Sequence, residues 1–138
     1  MTSGKAPNRD DRDSSSWERW FAGFRLMNSK WVPAFTGLTV VLGGGSVVYS
    51  ARYRRIYRDV LFDLVITPSG GATTQSGAGT TRLVPPLQII NDGVCQAVNG
   101  SSKASIGNGF VDAATNQIWL PTWAATSNKI VISGRYET

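Results

Sequence analysis

Histidine is absent from this sequence of 138 residues, cysteine occurs once, at Cys95, and only nine carboxylate side chains are present. General acid–base catalysis, activated nucleophiles and transition-metal sites draw mainly on those residue types. An enzyme is therefore not expected, and neither is a metal or other cofactor. A single cysteine makes no internal disulfide, so stability has to come from packing or association. Cys95 lies in an apolar stretch and reads as a buried, inert thiol. Charged residues make up 17% of the chain, below the usual ~25%. Long apolar runs are lacking too. The longest, residues 37–51, is interrupted by Gly43-Gly44-Gly45 and falls short of the ~20 residues of a membrane span. The first sixteen residues contain no apolar signal-peptide core, so the sequence reads as a soluble protein made in a cytoplasm.

What is present is polar, glycine-rich and basic. The net charge of +5 is unevenly distributed. Residues 1–30 contribute +2 and residues 31–60 contribute +3, while residues 61–138 sum to zero. The excess positive charge thus belongs to an N-terminal arm and the first strands, and an acidic protein surface or a nucleic acid would complement it.

Within the arm, Ser15 and Glu18 have the spacing of a helix capping box. Trp17, Trp20, Phe21 and Phe24 follow at i, i+3, i+4 and i+7, which puts four rings on one face of a short helix. Such a helix is marginal alone in water. Its rings have to be buried either on the chain's own core or on a neighbour.

From residue 31 onward the pattern is β. Residues 38–42, 47–57, 60–67, 82–87, 88–90, 94–98, 106–111, 118–120 and 129–136 read as short strands. Phe62, Leu64 and Ile66 alternate with Leu61, Asp63, Val65 and Thr67. Asn91-Asp92-Gly93 and Asn108-Gly109 read as turns, and residues 68–81 read as a long flexible loop. About eight strands at roughly ten-residue spacing predict an all-β antiparallel sandwich or jelly roll over residues 31–138, preceded by an arm over residues 1–30.

Candidate sites are few. Arg52, Arg54, Arg55 and Arg58 are interleaved with Tyr53 and Tyr57. Three uses compete for them: pairing with carboxylates of a neighbouring subunit, nucleic-acid contact through phosphate pairing and base stacking, and simple solvation. On a strand, Arg52, Arg54 and Arg58 share a face and Arg55 points the other way, with the tyrosines. The glycine clusters lack the Lys-Ser/Thr that a phosphate-binding loop requires. Asp63, Asp92 and Asp112 are the core carboxylates, and no pair among them stands out as catalytic. Trp119 and Trp123 flank a Leu-Pro-Thr segment and suit either core packing or surface recognition.

Residues 31–138 resemble β-sandwich domains of tailed-bacteriophage virion proteins. The resemblance rests on the order of YRRIYRDVLFDLVITP (53–68), a Gly/Thr-rich loop, RLVPPL (82–87), IWLPT (118–122) and a closing IVISGRYE strand (130–137). Phage tail-fibre tips carry a similar series. The short arm, in place of a long shaft, is more similar to capsid cement or decoration proteins of the Bordetella-phage type. That resemblance implies a jelly-roll body, homo-oligomers (dimers or trimers) on the surface of an HK97-type shell, and contacts bridging neighbouring major capsid proteins. It implies no catalytic residue and no membrane. The aromatic face Trp17, Trp20, Phe21 and Phe24, with Arg52, Arg54, Arg55 and Arg58, is the partner-binding set assigned from the residues. The alternative is a tail- or head-fibre module that recognises a host surface glycan.

Overall fold

Alternation of apolar and polar residues over 46–69 builds the longest hairpin among the described residues. The computed structural model describes residues 28–138. Their strands are β1 (Asn28–Lys30), β2 (Phe35–Thr36), β3 (Thr39–Val41), β4 (Ser46–Ile56), β5 (Asp59–Ser69), β6 (Thr73–Ser76), β7 (Arg82–Leu83), β8 (Asn91–Asn99), β9 (Ser105–Asp112), β10 (Gln117–Trp119), β11 (Trp123–Thr126) and β12 (Ile130–Glu137). No helix occurs among the described residues, and the expected helix at 15–25 lies outside them. Strands β4 and β5 pair over eleven residues each, from Ser46 opposite Ser69 to Ile56 opposite Asp59. Only Tyr57 and Arg58 join them, with Tyr57 in the left-handed region at φ 56°.

Nine strands form one sheet in the order β1-β4-β5-β12-β8-β9-β10-β7-β2, and β11-β6-β3 form a second. All the strand pairs are antiparallel. The two edges of the large sheet, β1 and β2, are separated by only Trp31–Ala34. Nine strands laid flat would span about 38 Å at ~4.8 Å per gap. The five Cα steps from Lys30 to Phe35 reach at most about 18 Å. The sheet therefore has to curl until its edges approach. Phe35 of β2 meets Tyr49 of β4 at 5.4 Å between ring centroids, and Trp31 stands edge-on to Phe62 at 6.1 Å.

The inward faces of the curled sheets share one core. Phe62, Leu64 and Ile66 of β5 pack with Ile130, Ile132 and Tyr136 of β12, Cys95 and Ala97 of β8, Val111 of β9 and Ile118 of β10. Burying each large apolar side chain stabilises the fold by about 1.5–3 kcal/mol. The expected alternation holds along β5: Phe62, Leu64 and Ile66 are buried, while Leu61 and Asp63 are exposed.

Several expectations need correction. Among the described residues the strands number twelve rather than about eight: β3, β7 and β10 fall in segments expected as strands, whereas β1, β2, β6 and β11 were not expected, and β1 and β2 are only two or three residues long, too short to show a period. Strand β1 extends the sheet back to Asn28, into the segment assigned to the arm, and pairs with Arg52–Arg54. Asn91-Asp92-Gly93 is not a turn but the start of β8. Register shifts there between Arg135 and Glu137 of β12, as at a β-bulge. A Cβ on Gly93 would sit 2.0 Å from the Arg135 carbonyl oxygen, so glycine serves close approach of backbones rather than a turn. Asn108-Gly109 likewise runs inside β9.

Residues 68–81 are not one long loop. Pro68 lies inside β5, one residue before its end, and is buried, and β6 alternates with Thr74 and Ser76 buried and Gln75 exposed. Their hydroxyls find partners inside: Ser76 donates to the Pro121 carbonyl at 2.7 Å, and the Trp123 indole N–H donates to Thr74 at 3.3 Å. A strand whose inward residues are Thr and Ser escapes a search for apolar periodicity.

Candidate binding groove

The polar alternates of the central strands point away from the core, and above them lies an open depression of about 700 Å³. Strand β4 supplies Arg52 and Arg54, β5 supplies Leu61 and Asp63, β12 supplies Ser133 and Arg135, and β8 supplies Val94 and Gln96. Asn28 of β1 and Asn108 of β9 close its two sides. Each residue is placed by strand register: Arg52 lies opposite Asp63, and Arg54 opposite Leu61. Leu61 and Val94 in turn lie opposite Arg135 on its two neighbouring strands.

Three guanidiniums thus share the depression, against Asp63 within it and Asp59 at its rim. Arg135 donates to Asp59 at 3.2 Å, with both side chains well exposed. An exposed pair of this kind contributes little, about 0–1 kcal/mol. Arg54 makes no ion pair among the described residues, and its Nε is buried without an acceptor.

The four arginines singled out in the sequence separate here. Arg52 and Arg54 enter the groove. Arg55 faces the other side, where its Nε donates to the Tyr57 carbonyl at 2.8 Å. Arg58 sits in the hairpin turn, where its carbonyl accepts from the Thr138 N–H at 2.8 Å. Tyr53, which also lines the groove, packs against the core, and Tyr57 is exposed at the turn. Trp17, Trp20, Phe21 and Phe24 lie outside the described residues.

The groove's other charged and polar members escaped the sequence reading. Arg135, Gln96, Asn108 and Ser133 come from strands far apart in the chain and share no linear motif. The one available signal was the outward alternation of Val131, Ser133 and Arg135 in β12.

The two tryptophans divide. Trp123 is a core residue, whereas Trp119 is half-buried on the outward face, with the Arg82 guanidinium 5.1 Å from its ring centre. Its indole N–H donates to Thr115 at 3.3 Å, and the Thr115 hydroxyl donates to Asp112 at 2.8 Å. That hydroxyl holds the Asp112 carboxyl below its ordinary value, against an opposing effect of desolvation and with further help from the Ala114 N–H. Asp92 accepts from the Ala113 N–H at 2.8 Å. Asp92 and Asp112 thus both serve the backbone of one turn, while Asp63 stands in the groove. Among the described residues no three His, Cys, Asp or Glu side chains come together as a metal-binding group. Cys95 is buried beneath the groove floor, and burial pushes its thiol up to about 11. Comparison with protein-family models, curated proteins and solved structures returned no match.

Proposed function

We propose that the chain is a virion structural protein of a tailed phage, which binds the outside of an HK97-type capsid and cements neighbouring major capsid proteins against the pressure of packaged DNA. The observation that carries this reading is the outward groove, where Arg52, Arg54 and Arg135 converge around Leu61 and Val94 on a curled, well-packed sheet. Guanidiniums beside exposed aliphatic side chains suit recognition of another protein. The sequence resemblance supplies the kind of partner.

In this reading the curled sheets play the part of the jelly-roll body. The Trp17, Trp20, Phe21 and Phe24 face of the arm helix buries apolar area against the shell. A protein that binds the assembled shell and not free subunits stabilises the shell by mass action. Homo-oligomers on the capsid surface would extend that clamp across several joints.

The test is co-sedimentation with DNA-filled and empty capsids of the source phage. The truncation for comparison removes residues 1–27, because a cut at residue 30 would also take away β1. Stoichiometric binding that falls with the truncation, and with Trp20→Ala or Phe21→Ala more than with Arg12→Ala, supports the reading. No binding to either shell overturns it. The glycan-receptor alternative draws on one observation, the outward placement of Trp119 beside Arg82. Saturable binding of a host surface glycan by protein that ignores shells would establish it.

A further inference from the structure

We infer that the outward face of the nine-stranded sheet is a docking track for an acidic, partly apolar polypeptide segment of a partner protein, laid across the strands rather than along them. Strand register carries the inference. It places Arg54 opposite Leu61, Leu61 opposite Arg135, and Arg135 opposite Val94. The same line continues from Val94 to Phe110, then Trp119, then Arg82. Seven consecutive strands each give one outward side chain, in the order Arg-Leu-Arg-Val-Phe-Trp-Arg. At ~4.8 Å per strand, measured along the sheet, Arg54 and Arg135 are about 10 Å apart and the row is about 29 Å long.

Apolar members of the row stand open. Val94 is 67% exposed and Phe110 46%. The charge is one-sided: three guanidiniums, of which only Arg135 is bonded to a carboxylate among the described residues, in an exposed and easily exchanged pair.

The mixture of side chains selects the class of partner. Leu61 and Val94, set between arginines, offer nothing to a phosphate or a sugar hydroxyl. Nucleic acid and glycans also use open aromatic faces for stacking; in the row Arg82 lies over the ring of Trp119, which leaves Phe110, set between Val94 and Trp119, as the one open ring. A polypeptide with carboxylates flanking apolar side chains matches both halves of the row. The inference deepens the capsid-binding reading and rests on it for the identity of the partner, which would present such a segment on its surface.

The experiment uses the full chain and a fluorescent peptide of alternating Glu and Leu. Its Gln-for-Glu counterpart, a single-stranded oligonucleotide and a sulfated oligosaccharide of equal charge serve as comparators. The expected result is saturable binding of the Glu/Leu peptide that weakens with salt. Arg54→Ala and Val94→Glu should each reduce affinity about tenfold or more. Lys129→Ala, which removes the same charge elsewhere, should leave it unchanged, with melting temperatures confirming that each variant folds. Equal binding of the Gln peptide, tighter binding of the oligonucleotide or oligosaccharide, or an equal loss with Lys129→Ala would overturn the inference. Repeating the shell sedimentation with Arg54→Ala separates the two proposals. Undiminished shell binding by that variant discards the track and keeps the cement role. Peptide binding without shell binding does the reverse.

Discussion

Alanine at position 134 would place a methyl group where Phe62 already lies. Gly134 of β12 faces inward directly opposite Phe62, with Cys95 opposite on its other side. A Cβ there would be 2.5 Å from Phe62 Cζ and 2.7 Å from Cys95 Cβ, where carbon atoms normally stand ~3.5–4.0 Å apart. The ring has little room to yield, because Trp31 stands edge-on at 6.1 Å and Tyr136 lies at 6.0 Å. Overpacking of this kind costs about 1–3 kcal/mol, against a gain of about 0.5–1 kcal/mol from removing a flexible glycine from a strand. A net loss of up to about 2.5 kcal/mol follows, centred on about 1 kcal/mol, and each kcal/mol lowers the melting temperature of a domain of this size by about 3–5 °C. Equilibrium urea unfolding followed by tryptophan fluorescence would read this as a lower midpoint at unchanged slope. Phe62→Leu provides the internal control. In that background the added methyl finds space, so the double-mutant cycle should show a coupling of about 0.5 kcal/mol or more. A Gly134→Ala variant as stable as the parent, or a penalty unchanged in the Phe62→Leu background, would refute the packing argument.

Three further outcomes are expected. Tyr136→Phe removes the hydroxyl that donates to the Leu87 carbonyl at 2.7 Å and accepts from the Leu87 N–H at 3.1 Å; it should cost about 1–3 kcal/mol and speed hydrogen exchange at Leu87. Trp123→Phe leaves the buried Thr74 hydroxyl without its indole donor and should lower stability by about 1–2 kcal/mol, measured by the same unfolding assay. Burial raises Cys95 from 9.0 to about 11 and Tyr136 from 10.0 to about 12, the latter with a smaller contribution from Tyr53. Because the folded values lie above the unfolded ones, this stabilisation is complete at neutral pH and is lost as pH rises through that alkaline window; Cys95→Ala should flatten the early part of the decline in urea midpoints, and an unchanged profile would contradict it.

Where a residue's neighbours in sequence determined its environment, the sequence was legible. The inward and outward alternation of β5, the strands over 47–57, 60–67 and 129–136, and the burial of Cys95 were all read from local pattern. Glycine misled at residues 91–93 and 108–109, because the same residue that permits a turn also permits two backbones to approach inside a sheet. Strand β6 was invisible because Thr74 and Ser76 take inward positions normally held by apolar side chains. Of the candidate site, Arg52 and Arg54 were found because they lie together in the chain. Arg135, Val94 and Gln96 join them only through strand register, which no local pattern encodes.

The position of β12 has a consequence for how the protein is made. This strand is the last of the twelve to be synthesised, yet it fills the slot between β5 and β8 and pairs with both. Without residues 130–137, the edges of β5 and β8 that β12 covers have no partner, and their backbone N–H and C=O groups stand open. Such edges are templates for the wrong partner, most readily the same edge on a neighbouring nascent chain. Folding therefore waits on the final strand, and a chain that stops short of Ile130 would lose the seam that joins the two halves.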